Sequence, residues 1–330
     1  MAGLFNKLTS IVGLKSAEPQ LPPVTDLLPP APEECLSECS SCPDYPRSFW
    51  KAGVERDTPL YGGVKKWDLH VLVATGRDNW MHDVEEEGGV LTAVGKAIEA
   101  SGMKIKLSAC NLPLPPHDHD DPNPPTSLLF LPSWIHVSPH PLHLPPTPPT
   151  PPIPSYPPLP TPISITPIPQ KTLILLCSHT KRDARCGISA PILRQQFAKH
   201  LGRDYRDLHD GREGGAKVVY INHVGGHKFA GNVIIYGQNA APVPSLSDRQ
   251  KTEAEVQGEE AKLEQVDRSG QYCIWYARVL PAHCEAIVKY TVGEGRVIVG
   301  DTGKDLKEAK EGERGVEVRA GWRAGVGGRW

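Results

Sequence analysis

The chain has no long apolar run. None of its 330 residues lie in a stretch approaching the ~20 that a membrane-spanning helix requires, so no membrane partner is expected. It has almost no net charge: 36 lysines and arginines against 38 acids leave −2. There is then no global basic field to favour nucleic acid and no acidic field to favour a cationic partner. Cysteine is scarce, eight in all, which is too few for a secreted disulfide scaffold. The opening MAGLFNKLTSIVGLKSAE contains no arginine and no small-residue cleavage site, so it does not read as a secretory signal. It has no acid before Glu18 and places Leu4, Phe5, Leu8, Ile11 and Val12 at roughly helical spacing. The expected location is cytoplasmic, with a mitochondrial presequence as the alternative. Without a secretory signal, close cysteine spacings favour metal or redox chemistry.

What the chain has in excess is proline, 35 residues, of which 22 fall between 111 and 170. That local excess divides the sequence. Residues 1–34 read as a disordered lead-in. Residues 35–137 read as a smaller N-terminal α/β module. In it, WDLHVLVAT (67–75) is a strand, and GGVLTAVGKAIEASG is a helix carrying Leu91, Val94 and Ile98 on one side and closed by Gly102. MKIKLSAC is a second strand, and this order implies a parallel pair with a crossover. SLLFLPSWIHV (127–137) is a further strand and its exit. Residues 138–170 are a Pro-rich insertion, readable as a polyproline II linker. It also reads as a retained intron: Val137 and Ser138 can be encoded GTGAGT, Gln170 can be encoded CAG, and residues 137–170 span 34 codons, 102 nucleotides in frame.

Residues 171–300 read as a thioredoxin-like domain, a mixed sheet with flanking helices. KTLILLC (171–177) is a buried strand. SAPILRQQFAKHLG is a helix with Ser189 as its cap and Pro191 in its first turn. AKVVYINHV (216–224) and NVIIYG (232–237) read as an antiparallel hairpin, QYCIWYARV (271–279) as a strand, and PAHCEAIVKYTV as a helix. Residues 246–268 are a charged insertion, GRVIVG is a short last strand, and residues 301–330 are a flexible charged tail.

The chemistry concentrates in two motifs. CSHTKRDARCG places Cys177 and Cys186 in a C-x8-C spacing at the end of the buried strand. INHVGGHKFAGN places His223 and His227 in an H-x3-H spacing around Gly225 and Gly226, whose backbones can take positive φ and admit a bulky group. A thiol-redox pair usually has C-x-x-C at a helix start, so the wider gap weakens that reading. Two thiolates and two imidazoles suit structural zinc or a [2Fe–2S] cluster. Zinc knuckles usually use closer cysteines. A Rieske centre would need C-x-x-H, but Cys186 is followed by Gly187, Ile188 and Ser189; His179 is a reserve ligand. Cys35, Cys39 and Cys42 cluster in CLSECSSC and are a weaker metal candidate, with Cys110 as a fourth sulfur. Cys273 and Cys284 read as packed thiols. Lys181, Arg182 and Arg185 form a cationic collar between the two cysteines, suited to an acidic redox partner, and Asp183 can pair with one of the arginines.

LLCSHTKRDARCG, NHVGGHKFAGNVIIY and IWYARVLPAHCEAIV, with ATGRDNWMHDV and LLFLPSW earlier, resemble the sucrase/ferredoxin-like family, the thioredoxin-like ferredoxins of fungi and plants that include the fungal actin-patches-distal type. The resemblance covers roughly residues 35–137 and 171–300. It implies a [2Fe–2S] cluster held by Cys177, Cys186, His223 and His227, and single-electron transfer in a cellular redox or oxidative-stress pathway rather than stand-alone catalysis. It implies a redox partner such as a flavin reductase, and delivery by cytosolic iron–sulfur assembly machinery addressed through the terminal Trp330. No paired carboxylates are placed for glycoside hydrolysis. The Pro-rich block is foreign to the family pattern, and Ala277 stands where glycine is usual. Replacing two thiolates by neutral imidazoles removes negative charge from an oxidised cluster, so the expected potential lies well above the roughly −400 mV of plant-type ferredoxins. The alternatives are a dithiol–disulfide oxidoreductase on Cys177 and Cys186, or a zinc-stabilised binding module.

Overall fold

The computed structural model describes residues 24–31, 43–55, 60–61, 63–65, 67–117, 121, 124–139, 163–238, 271–298 and 317–323, with the side chains of Asp26, His227 and 317–323 left out. Cys35, Cys39, Cys42, Trp330 and the charged stretch 246–268 lie outside the described residues. In chain order the elements are helices α1 (Val24–Leu27) and α2 (Arg47–Lys51), strand β1 (Leu69–Ala74), helix α3 (Gly89–Ser101), and strands β2 (Ile105–Cys110), β3 (Leu128–Leu131), β4 (Ile135–Pro139), β5 (Ile163–Pro167) and β6 (Thr172–Cys177). Helix α4 (Ala184–Leu201), the short β7 (Tyr205–Arg206), β8 (Ala216–Ile221), β9 (Val233–Gly237), β10 (Tyr272–Ala277), α5 (Cys284–Ala286, continuing as a π-helix over Ile287–Val292) and β11 (Glu317–Arg323) complete the set.

The fold is α/β, with a mixed, thioredoxin-like sheet. Strands run in the order β11-β10-β9-β6-β8-β2-β1-β3-β4-β5, with β7 beside β8. The expected parallel pair is present as β1 and β2, joined through α3 and ended by Gly102 at φ 64°. The join between the two halves is narrow. β2 and β8 meet at the single register pair Cys110–Ile221. Two asparagines fasten it: Asn111 Oδ1 accepts from the Tyr220 amide at 2.8 Å, and Asn222 Oδ1 accepts from the Ala109 amide at 3.1 Å.

Alternation along the strands sorts the core. Leu173, Leu175 and Cys177 of β6 share a buried cluster with Leu72, Cys110, Leu129 and Leu131 of the N-terminal half. Ile174 and Leu176 face the other way, onto Leu193 and Phe197 of α4, Phe49 of α2 and Leu27 of α1. The halves therefore share one sheet and, on one of its faces, a buried cluster. At this shared face His70 is fully buried, with Nδ1 3.0 Å from the Tyr236 hydroxyl and Nε2 2.9 Å from Ser108 Oγ. Trp67 Nε1 donates to the same hydroxyl at 3.2 Å. Burial first, then Lys106, holds His70 well below the usual imidazole pKa, so it is neutral.

Several boundaries differ from the sequence reading. The lead-in contributes α1, whose Val24 and Leu27 are buried, as is Leu28 just after it, and Pro30 bridges to Val297. The end of the Pro-rich insertion belongs to the sheet: β5 pairs antiparallel with β4, and Trp134 Nε1 donates to the Gln170 carbonyl at 2.8 Å. Ile168 and Gln170 are both buried. The charged tail contains β11, which pairs with β10. Among its described residues, GRVIVG supplies only the isolated bridge at Val297. β8 and β9 are not a hairpin. β6 lies between them, parallel to β8 and antiparallel to β9. The chain leaving β8 must cross the carboxyl end of β6 to reach its far side.

Candidate metal centre

That crossing builds the site. β6 is buried throughout and ends at Cys177, whose register partner in β8 is Ile221. The loop from Asn222 to Asn232 passes over this end: the Ser178 amide donates to the Ile221 carbonyl at 3.1 Å and the Cys177 amide to the Asn232 carbonyl at 3.3 Å. Gly225 and Gly226 hold φ of 93° and 71° within the loop, the conformation expected of them. A crevice at the carboxyl ends of parallel strands is where open α/β sheets bind ligands.

The second cysteine arrives on a helix. Asp183 has an extended φ/ψ of −155° and 118°, and its carboxylate accepts from the Arg185 amide at 2.9 Å. It is the N-cap of α4, six residues earlier than the cap expected at Ser189. Ser189 is an interior residue whose hydroxyl donates back to the Cys186 carbonyl at 3.4 Å. Cys186 thus stands in the first helical turn. Its sulfur lies 3.4 Å from that of Cys177, and both thiols are reduced and buried. A disulfide would require about 2.05 Å. Two sulfurs bound at about 2.3 Å to one tetrahedral ion stand about 3.8 Å apart, much closer to what is observed.

The pair holds its charge unevenly. Cys177 lies well below the usual thiol range, chiefly because Cys186 donates to it. Burial opposes this, and His223, through a hydrogen bond and its charge, adds to the lowering, as does the His179 amide. Cys186 is correspondingly pushed up by donating to Cys177 and by burial. Negative charge on the pair is therefore favoured at Cys177, whose sulfur lies beside Cys186 in the first turn of α4. The structure therefore brings Cys177, Cys186 and His223 together. The loop carries His227 at Cα level in the short turn His227–Phe229, and its side chain is outside the described set. Among the described residues, no three His, Cys, Asp or Glu side chains are arranged around a single metal ion.

The N-terminal half closes over the cysteine loop, a contact that sequence spacing did not reveal. Ser178 Oγ donates to the Asp78 carbonyl at 2.8 Å, and the Lys181 amide to Asn79 Oδ1 at 3.3 Å. Arg182 reaches both Nδ1 and the carbonyl of His82, at 2.6 and 3.2 Å. His179, the reserve ligand, is 1% exposed and has both ring nitrogens engaged: Nδ1 accepts from the His223 amide at 3.3 Å, and Nε2 is 3.0 Å from the Trp80 carbonyl. Of the cationic collar, Lys181 and Arg182 are exposed. Arg185 is turned inward: it clasps Asp183 with Nε at 3.0 Å and Nη2 at 2.6 Å and donates to the Gly53 carbonyl, so it does not line a docking face. The remaining described cysteines, Cys110, Cys273 and Cys284, are buried and their pKa values raised by burial, Cys110 to about 12.

Comparison with known proteins places this arrangement. A family model described as sucrase/ferredoxin-like matches residues 60–301, and the chain belongs to that family. It is 30% identical over 228 residues to actin patches distal protein 1 of Saccharomyces cerevisiae, covering 62% of this chain and 72% of that protein. It is 34% identical over 133 residues to altered inheritance of mitochondria protein 32 of Clavispora lusitaniae, and 36% over 128 residues to the protein of the same name in Debaryomyces hansenii. Those matches cover 40% and 39% of this chain and about a third of each relative, 34% and 33%. No solved structure matches. Among the described residues no helix is long and apolar enough to cross a membrane.

Proposed function

We propose that the chain is an electron-transfer protein whose Cys177, Cys186, His223 and His227 hold a [2Fe–2S] cluster. The observation that carries this reading is the pair of reduced, buried sulfurs 3.4 Å apart beneath a loop that brings His223 within hydrogen-bonding reach of one of them. A binuclear cluster asks only two protein donors of each iron, so it does not need three ligands around one ion. When bound, the cluster supplies one-electron transfer. The protein's own part is to supply negative charge at Cys177, to exclude water by burial of both sulfurs, and to fix both on a strand end and a helix start.

Lys181 and Arg182, exposed beside the site, suit an acidic redox partner such as a flavin reductase. An electron carrier needs nothing more, so no stand-alone catalytic activity is proposed. Delivery by cytosolic iron–sulfur assembly machinery through Trp330 is part of the same reading, with the cytoplasm as the compartment. The name of the relatives called altered inheritance of mitochondria protein 32 supports a mitochondrial alternative.

The test is anaerobic purification of the full chain, with iron and acid-labile sulfide assays, visible absorption and paramagnetic resonance after reduction. Two irons and two sulfides per chain are expected, with colour that bleaches on reduction and disappears in Cys177→Ser and His223→Ala. A second reading, a dithiol–disulfide oxidoreductase, draws on the uneven charge of the thiol pair. A colourless chain that cycles reversibly between dithiol and disulfide would replace the first reading with the second, and a colourless zinc-loaded chain would replace both.

A further inference from the structure

His179 lies two residues past Cys177 and contacts Cys177, the turn before Cys186, the His223 backbone and Trp80. Its backbone amide donates to the Cys177 sulfur. Its carbonyl accepts from the amides of Arg182 and Asp183, at 3.1 and 3.0 Å, which closes the turn leading to Cys186. Its ring makes the two contacts already described, to the His223 amide and the Trp80 carbonyl. Only one tautomer satisfies both. A backbone N–H must find a lone pair, so Nδ1 is unprotonated, and a carbonyl must find a proton, so Nε2 carries it. The ring is also edge-on to Trp80, with centroids 5.8 Å apart and planes at 89°, which fixes its orientation. Trp80 is itself anchored, its Nε1 donating to Thr75 Oγ1 at 2.9 Å.

We infer that His179 is a positioning residue: its imidazole holds the backbone of His223 at a fixed place relative to Cys177 and ties that place to the Trp80 loop of the N-terminal half. It is not a donor to the bound group, since both nitrogens are occupied. The N-terminal half thereby becomes a working part of the site. For its effect on the loaded protein the inference rests on the proposed cluster; for its effect on the His223 backbone it does not.

The experiment compares the full chain with His179→Phe and His179→Asn, each metal-free and loaded. Phenylalanine keeps the ring and the edge-on contact but removes both nitrogens. Asparagine can offer an oxygen near the position of Nδ1 but is too short to reach Trp80. In the metal-free chains, amide hydrogen exchange at His223 is expected to quicken about fivefold or more in His179→Phe, the scale of one lost hydrogen bond, while Ile174 and Leu176 of β6 are unchanged. In His179→Asn, His223 is expected to stay near wild type while residues 78–82 exchange faster. In the loaded chains, the reduced-state resonance lines are expected to shift in His179→Phe and to return in His179→Asn. Unchanged exchange at His223 in His179→Phe overturns the inference. If that variant does not fold, His179→Asn decides alone: release of both segments, or of neither, overturns it. A wild-type chain without iron would sink the cluster reading and leave the exchange result to stand or fall separately.

Discussion

Asp183 links the start of a helix to the placement of a sulfur, and its removal has a calculable cost. Its carboxylate caps α4 through the Arg185 amide and receives two guanidinium donors from the same residue. Loss of a cap of this kind costs about 1 kcal/mol. A charge-assisted bidentate contact is stronger than a neutral hydrogen bond, but this one has a solvent edge, with side-chain exposures of 13% for Arg185 and 9% for Asp183, so about 1.5 kcal/mol is a fair allowance. Asp183→Ala should then lower stability by about 2.5 kcal/mol, while Asp183→Asn, which can still cap, should lose about 1.5 kcal/mol. Urea unfolding of the full chain measures both, and adding Arg185→Met to each completes a double-mutant cycle. Because Cys186 lies in the turn that Asp183 caps, Asp183→Ala loaded with the proposed cluster should also lose its visible chromophore sooner in chelator than Asp183→Asn. Equal stabilities of the two variants, or a cost below about 0.5 kcal/mol for alanine, would refute this account of how Cys186 is held.

Three further outcomes follow from the same structure. His283 is buried and its pKa is lowered by burial to about 4, against about 6.5 in an unfolded chain, so its contribution to stability is present above pH 6.5 and lost as pH falls through 4. Between pH 7.5 and 4.5 that is about 2.5 kcal/mol, and His283→Gln, which can still accept from the Leu280 amide, should show an acid dependence smaller by that amount in urea titrations at the two pH values. A β-carbon added at Gly187 would stand 2.9 Å from the β-carbon of Thr180, so Gly187→Ala should push the cysteine loop off α4 and, on the proposed cluster reading, reduce iron content more than it reduces the melting temperature. Pro139 and Ile163 are register partners, so replacing residues 140–162 by Asn-Gly should close a tight hairpin and leave melting temperature and spectra unchanged, whereas deleting through Gln170 should cost folding because Ile168 and Gln170 are buried.

Much of this was legible in the sequence. The aliphatic density of LHVLVA, TLILLC and AKVVYI marked buried strands, and the C-x8-C and H-x3-H motifs marked Cys177, Cys186 and His223, which the fold gathers at one end, along with His227, whose side chain is outside the described residues. The helix start was misplaced because Ser189 and Pro191 form a persuasive cap signal, while Asp183, the better acceptor, stands among the arginines read as a cationic collar and as its ion-pair partners. The relation of β8 to β9 was hidden for a different reason. Two neighbouring strands look alike whether they pair directly or admit a third between them, and only the energetics of the whole sheet decides. The Trp80 loop was invisible because its contacts run about a hundred residues along the chain, from Asp78 to Ser178 and from His82 to Arg182. Composition misled at the ends of segments: proline and charge marked residues 138–170 and 301–330 as unstructured, yet each includes a strand added at a sheet margin, where few ladder bonds must be satisfied.

The single register pair between β2 and β8 has a mechanical consequence. A sheet whose ladder narrows to one register pair, flanked by the Asn111 and Asn222 clasps, is held by few ladder bonds in that row, and flexure about it displaces atoms in proportion to their distance from it. Cys110, Ile221 and Cys177 lie in one row across the junction. The sulfur-bearing end of β6 therefore sits near the fulcrum, where breathing of the two halves moves things least.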